Sequence, residues 1–551
     1  MGHRERAGRI LGMIAAGLGL ALLGLGLFAP LVVARGLDGS PRSAMLDLAL
    51  VLLDPMTGRG WLASVAAAGV TALIAWMVGV PFGRVIGRRR FVGRGVLARL
   101  ALATVAVPPL LGALGLRLLI GEANLDATEP FAGIGLGWLA LVWVEVACLT
   151  PLVAVAVARG VSHLEPSWEE AGRASGATAR RAWRDLAWPQ VRPASNRAVA
   201  TVFALSLLDP GAPLALGLER SLPVQIVRAA TIDAAPTRAA ALALVGLATA
   251  LTVGLALRGR RGWGDAHRFD RESPRVPGLA AGWSRGLVFL GLLAAWAAFA
   301  WLPILALSQP ILERFSAGGT STGLGRSVLA AVREPRWLEP VVWGAIVGTL
   351  AVASSFGLAR WGAGRAGRVA LWVGRWVPPL VLAVGLLGAG PILVGLSEWI
   401  GGLASLGKVG RLVDPYATSG TALLIGLTLL HLPRAVAATA AAKARCAPEL
   451  VEAGVTLGAS PRQARRDLQR PLTAPTRLRA GLLIGVLAAA DFGLALPLVP
   501  VSRPSLPTVS VLDHFDQVGG RLPSAALGLA IAVVAAGAWI AGGPIERRPE
   551  P

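Results

Sequence analysis

Apolar runs of about 20 residues, each long enough to cross a bilayer, alternate with short polar segments along nearly the whole chain. They fall near 10–33, 61–83, 100–119, 135–157, 198–218 and 239–257, and again near 286–308, 340–359, 370–396, 419–441, 480–500 and 523–541. The pattern predicts an all-α polytopic membrane protein of about twelve transmembrane helices. The polar, basic stretch 258–285 divides it into a first half, 1–257 with a core of about 57–257, and a second half, 286–551 with a core of about 340–541. The first run follows Arg4, Arg6 and Arg9 and exceeds a signal-peptide core, so an uncleaved first span is expected.

Polar positions carry a second pattern. The stretch from Glu165 to Gln190 returns from Ala447 to Leu472 at a constant offset of 282 residues, matching Pro166/Pro448, Glu170/Glu452, Ala171/Ala453, Gly172/Gly454, Gly176/Gly458, Arg180/Arg462, Asp185/Asp467, Leu186/Leu468 and Pro189/Pro471. This is an internal repeat. Each copy predicts two short helices. Proline opens the first, Gly176 or Gly458 stops it with a left-handed cap, and Thr178 or Ser460 caps the second. Ser460 with Gln463 matches a capping box, and Pro189 or Pro471 is expected to close the second helix. Arginines at 180, 181 and 184, or at 462, 465 and 466, are too costly to bury, so the pair should protrude into water.

Composition agrees: 54% of residues are hydrophobic, 15% are charged, and the mean hydropathy is +0.63. The net charge of +22 comes almost wholly from arginines clustered between apolar runs, which argues against nucleic-acid binding. With the N-terminus inside, cytoplasmic segments hold 36 of the 53 Lys and Arg residues against 14 in the opposite segments. The positive-inside rule selects that orientation, with both termini and both repeat loops cytoplasmic. Cys148 and Cys446 lack metal-ligand spacing and are expected to be inert.

The spacing Glu170-Ala171-Gly172, Gly176, Leu186, Pro189, repeated as Glu452-Ala453-Gly454, Gly458, Leu468, Pro471, resembles the EAA motif of permease subunits of bacterial ATP-binding-cassette importers. Gly172 and Gly454 replace the motif's second alanine, and Trp188 and Arg470 replace the aliphatic residue before its proline. The resemblance is closest to fused ferric-iron, thiamine and polyamine permeases. It implies two fused six-helix permease repeats in a bacterial inner membrane, surrounded by lipid, with no catalytic residue of their own. Two ABC ATPase subunits on separate chains, carrying ATP and Mg²⁺, would each receive one loop as a coupling helix. An extracytoplasmic substrate-binding protein would deliver the solute. No cofactor or metal is expected on this chain. By analogy the solute is ferric iron first and thiamine second.

Other candidates are weighed on their residues. Asp209-Pro210-Gly211 and Asp491-Phe492-Gly493 share the 282-residue offset within the fifth and eleventh runs. Asp209 and Asp491 are either loop caps or part of the substrate path, since a carboxylate in lipid must face a cavity or a partner. Glu145, Arg375, His431 and Arg434 are explained by buried pairing or snorkelling. Gly402 to Lys408 nearly spells a phosphate-binding loop, but Val409 stands where Ser or Thr must meet Mg²⁺. A gradient-driven secondary transporter with parallel repeats is the alternative, though it gives no reason for duplicated cytoplasmic loops.

Overall fold

The computed structural model describes residues 54–121, 125, 135–162, 164, 171–172, 174–233, 235–257, 279–280, 283–316, 335–359, 377–390, 420–444, 446, 448–498 and 505–542. The expected first span at 10–33, the near-phosphate loop at 402–409 and Arg375 lie outside them. So does most of the 258–285 linker, whose described part includes Leu279–Ala280, paired in parallel with Arg89–Arg90.

The first half begins with α1 (Pro55–Arg88). Asp54 caps it, its carboxylate accepting the Thr57 hydroxyl at 2.7 Å and the Met56 and Thr57 amides at 3.2 and 3.3 Å. The Thr57 hydroxyl, with these amides, holds the Asp54 carboxyl below its ordinary range. Next come α2 (Arg94–Ala103) and α3 (Pro109–Ile120), then the fourth span α4 (Leu136–Ser162). The loop helix α5 (Ala179–Ala182) leads toward α6 (Trp188–Leu208), followed by α7 (Gly211–Ala215), α8 (Leu222–Thr231) and α9 (Pro236–Ala256).

The second half runs through α10 (Trp283–Leu305), α11 (Gln309–Ser316), α12 (Pro335–Ala359), α13 (Pro379–Gly388) and α14 (Thr421–Ala444). Its loop holds α15 (Pro448–Thr456) and α16 (Pro461–Ala464), and the chain ends through α17 (Arg470–Ala489), α18 (Ala495–Leu498), α19 (Pro507–Phe515) and α20 (Arg521–Gly542).

Among the described residues nine helices are long and apolar enough to cross a membrane, or ten when one bent pair is taken as a span. They correspond to ten of the twelve expected runs. The protein is an all-α polytopic membrane protein. Two expectations change in form. The third run is a pair of helices meeting at 93°, with Val107 and Pro108 extended at ψ 128° and 131°. Each of these residues precedes a proline, whose ring disfavours helical backbone one residue earlier. The ninth run is described only from Val377 to Gly390, where the ten-residue α13 follows an equally extended Pro378.

Both halves use the same three-helix unit: α1, α4 and α6 pack together in the first, and α12, α14 and α17 in the second. The halves then interlock. The sixth span α9 packs on α13, while the last span α20 packs on α2 and α3. The seventh span α10 precedes the second half in sequence but packs against α2, α3 and α4 of the first. One apolar cluster therefore runs through both halves, from Leu110 and Leu207 to Leu380 and Phe492. At one end of the seam Arg117 on α3 meets Asp516, after α19, at 3.0 Å.

The docking of α10 depends on close backbone approach at Gly115, where an added methyl would run into the Pro303 carbonyl oxygen. Gly115→Val is therefore expected to destabilise the chain by about 1–3 kcal/mol through overpacking. The check is a lowered thermal midpoint in detergent, with Gly291→Ala on the open face of α10 as a neutral control.

Candidate functional site

The two loops that share the 282-residue offset fold alike. In the first, Ala171 and Gly172 are helical, and the helix stops at Gly176 with φ 74°. In the second, α15 carries Glu452, Ala453 and Gly454 and stops at Gly458 with φ 94°. The amide after the glycine reaches back five residues in each copy: Ala177 N–H to Gly172 O at 2.9 Å, and Ala459 N–H to Gly454 O at 3.1 Å. This six-to-one bond is the Schellman closure, and its left-handed residue is the one that glycine serves best. Glu170 lies outside the described residues, and Glu452 is exposed on α15.

Capping of the following helix matches the sequence. The Arg181 amide donates to Thr178 Oγ1 at 3.3 Å. In the second copy the Ser460 amide donates to Gln463 Oε1 at 3.0 Å and the Gln463 amide to Ser460 Oγ at 3.3 Å, a reciprocal capping box.

Gly172 and Gly454 then show why small residues stand there. A methyl built on Gly172 would lie 3.0 Å from Leu186 Cδ1 and 3.5 Å from Ala182 Cβ; on Gly454 it would lie 2.8 Å from Leu468 Cδ1 and 3.3 Å from Ala464 Cβ. The motif's glycine and leucine thus clamp the two short helices together in both copies. Ala182 and Ala464, both buried, complete the clamp. Sequence reasoning missed them, although their shared offset was a readable signal.

The prolines behave differently from expectation. Pro189 and Pro471 do not end the second helix, which continues into the fifth-position span of each half, α6 or α17. The residues before them form a π turn, Trp183–Ala187 or Arg465–Gln469, in which Trp188 N–H bonds Trp183 O and Arg470 N–H bonds Arg465 O. A proline in an α-helix clashes with the carbonyl four residues earlier. Widening the preceding turn to a five-residue bond relieves that clash without ending the helix. The apolar runs read at 198–218 and 480–500 accordingly begin inside longer helices that start in the loops, α6 (Trp188–Leu208) and α17 (Arg470–Ala489) with the π turns before them. Each loop is mechanically continuous with a membrane helix.

Charge on the loops faces water. Arg184 pairs with Asp185 at 2.7 Å, and Arg466 pairs with Asp467 at 2.7 Å, all four side chains at least two-fifths exposed. Such pairs add little stability. The first copy is additionally braced, because the Arg84 guanidinium lies 4.2 Å over the Trp183 ring and Trp183 packs beside Trp188. In the second copy Arg470 replaces that tryptophan and is exposed. The tips also differ: Leu457 is 89% exposed where the first copy has Ser175.

Asp209 and Asp491 follow the long helices of the two loops. Asp209 Oδ2 accepts the Ala212 amide at 3.2 Å, and Asp491 Oδ1 accepts the Leu494 amide at 2.8 Å. Both are caps, half-buried at breaks in the fifth and eleventh spans. Deeper in the first half, buried Glu145 on α4 accepts the hydroxyls of Thr71 on α1, at 3.1 Å, and Ser206 on α6, tying three helices together. In the second half Arg434 bonds His431 Nδ1 at 2.8 Å. Cys148 and Cys446 are both buried. No group of three or more His, Cys, Asp or Glu capable of holding a metal occurs among the described residues.

The described residues form an all-helical membrane bundle in which two basic loops run on into membrane helices. Residues 79–259 match the family described as the binding-protein-dependent transport system inner membrane component, and this segment is a permease domain of that family. Similar proteins include the probable molybdenum ABC transporter permease protein of Haloferax volcanii, 28% identical over 166 residues, 30% of this chain and 61% of that one. The thiamine transport system permease protein ThiP of Brucella abortus is 27% identical over 259 residues, covering 44% of this chain and 46% of the relative. The molybdenum transport system permease protein ModB of Mycobacterium tuberculosis is 25% identical over 218 residues, 38% of this chain and 82% of its own. The match thus spans 61% and 46% of the first two relatives' lengths.

The left-handed turns provide a direct test. Gly176→Val and Gly458→Val place branched side chains in positive-φ backbone, at a local cost of about 1–2 kcal/mol. Hydrogen–deuterium exchange should rise over 171–187 or 448–469 respectively while protection in α1, α4 and α12 stays unchanged.

Proposed function

We propose that the chain is the permease of an ATP-driven, binding-protein-dependent importer, built as two fused halves, 1–257 and 286–551, joined by the 258–285 linker. The observation that carries this reading is the duplicated lever: the same clamp, left-handed turn and π turn at a constant offset, each running without interruption into a membrane helix. A helix pair that protrudes into water and is rigidly joined to a span can turn a push at the membrane surface into rotation of a half.

On this reading Glu170, Ala171, Gly172, Gly176, Leu186 and Pro189, with Glu452, Ala453, Gly454, Gly458, Leu468 and Pro471, form the two coupling elements. Two ABC ATPase subunits receive them and hold ATP and Mg²⁺, and both termini lie in the cytoplasm of a cell bounded by the inner membrane. An extracytoplasmic substrate-binding protein delivers the solute to a path between the halves near Asp209 and Asp491. Thiamine is supported by the likeness to a named thiamine permease. Ferric iron rests on analogy alone, and molybdenum is the competing choice that the other relatives' names raise.

The test is purification of the tagged full chain from its native membrane in mild detergent. Two copies of an ATPase per chain are expected to co-purify, with ATP hydrolysis in the complex. Gly176→Val and Gly458→Val should reduce solute uptake while the chain still inserts. A chain that repeatedly purifies alone, without ATPase activity and with uptake abolished by a protonophore, would establish the gradient-driven alternative.

A further inference from the structure

One corner of the bundle carries charge of a single sign. Residues 55–121 hold eight arginines and neither Asp nor Glu, and α10 adds Arg285 without any acidic residue. Most of these arginines lie where α1 ends and α2 begins, and Arg84 over the Trp183 ring places that corner on the face that bears the basic loops. Some of the charge is engaged within the corner. Arg94 Nη1 donates to the Ile86 and Arg89 carbonyls at 3.0 and 2.9 Å, and Arg99 Nε to the Gly95 carbonyl at 2.6 Å. Arg89, Arg99 and Arg285 form no ion pair with a carboxylate among the described residues. The first two are half-exposed and the third is exposed.

Backbone contacts fix these three residues relative to one another. A methyl built on Gly93, at φ 78°, would lie 3.1 Å from Leu290 Cδ1, and one built on Gly286 would lie 3.3 Å from Phe91 Cβ. The Phe91 and Phe289 rings pack with centroids 5.8 Å apart, and residues 89–90 pair in parallel with 279–280 just before α10. The ends of α1, α2 and α10 that carry the arginines are thus held together.

Beyond the arginines the surface turns apolar. On α2, Val96 and Leu100 flank Arg99, and both are exposed. On α10, Val288 and Leu292 follow Arg285 at spacings of three and seven, and both are exposed. Helix positions three or four apart share a face, so Arg99 and Arg285 each join a strip of exposed aliphatic side chains. Trp283, 79% exposed, stands at the polar end, where amphipathic indoles settle at a membrane interface.

We infer that Arg89, Arg99 and Arg285 form a site for the phosphate of an anionic phospholipid, whose acyl chains lie along the Val96–Leu100 and Val288–Leu292 strips. The site goes beyond the permease reading and does not depend on it. An acidic protein surface would answer the charge but would leave the aliphatic strips uncovered; an anionic lipid answers both. A guanidinium offers a phosphate two parallel N–H bonds, and the packed corner holds its arginines in place beforehand. A zwitterionic lipid suits the site less, because it brings its own cation to a positive surface. The bound lipid bridges α1, α2 and α10, and so fastens the seventh span to the first half.

Lipid retention tests the site. The full chain, purified and delipidated in dodecyl maltoside, is mixed with equal amounts of phosphatidylglycerol and phosphatidylcholine and washed, and the retained lipid is measured by mass spectrometry. Wild type should retain phosphatidylglycerol selectively. Arg89→Gln, Arg99→Gln and Arg285→Gln should each weaken its retention by about fivefold, and the triple variant by roughly a hundredfold, as the pull of single arginines on an anionic lipid surface implies. Arg89→Lys with Arg99→Lys and Arg285→Lys keeps the charge and should stay within about fivefold of wild type, which separates lost charge from a damaged fold. Arg314→Gln, past the far end of α10, should retain lipid as wild type does. A monodisperse triple Gln variant that holds phosphatidylglycerol as wild type does would overturn the assignment, as would equal retention of the two lipids by wild type. Displacement of the lipid by equimolar inorganic phosphate would also overturn it, leaving a site for free phosphate. A triple Gln variant that keeps the lipid but no longer recruits an ATPase would give the arginines to a protein partner instead.

Discussion

Inside a bilayer each backbone N–H and C=O needs a partner within the protein, because lipid offers none. This constraint governs where the chain can depart from a straight helix. The extended residues at Val107-Pro108 and at Pro378 lie at the starts of α3 and α13, within the apolar cluster common to both halves. The breaks at Asp209 and Asp491 lie against those same helix starts. The two breaks cover each other from opposite halves, and each helix start covers the break of its own half. The four departures from helix thus become the seam itself, and carboxylates that would be prohibitive in lipid serve as caps for the amides the breaks release.

The same accounting explains how the water-exposed loops join the bundle. A proline at 189 or 471 would ordinarily stop or kink a helix. The π turn before it lets the helix pass, so the short basic segment and the span behind it share one continuous backbone. The glycine clamp at the other end fixes the angle between the loop's two helices. Each copy thus combines a stiff arm with a fixed elbow. The copies are not identical, since Arg84, Trp183 and Trp188 brace the first while Leu457 is bared at the tip of the second. The duplicated scaffold therefore presents two chemically different surfaces.

Interlocking of the halves follows from how apolar area is shared. The seventh span carries an almost unbroken apolar face but belongs, by packing, to the half that precedes it in sequence. Its close approach at Gly115 brings backbone against backbone, as membrane helices do when small residues allow it. Glu145 adds a polar tie inside the first half, accepting from two neighbouring helices at once. The equivalent position in the second half is Leu427, so the two halves are held by different means on one plan.

By itself the sequence determined the membrane class, the places where ten helices cross, the duplication, and the local chemistry of the loops. All of these depend on hydrophobicity, on fixed offsets, or on bonds made within five residues, as at Gly176, Gly458, Ser460 and Gln463. Only the tertiary structure decided that Pro189 and Pro471 lie inside continuous helices, that the third span turns through 93°, and that the clamp closes on Ala182 and Ala464. It alone brought Pro210 to Gly493 and Phe492 to Gly211. The reason is physical: a proline's effect depends on whether its neighbours can shift register. A glycine's purpose at a close approach depends on which side chain arrives there, here from the other half of the chain. No local periodicity records such a contact.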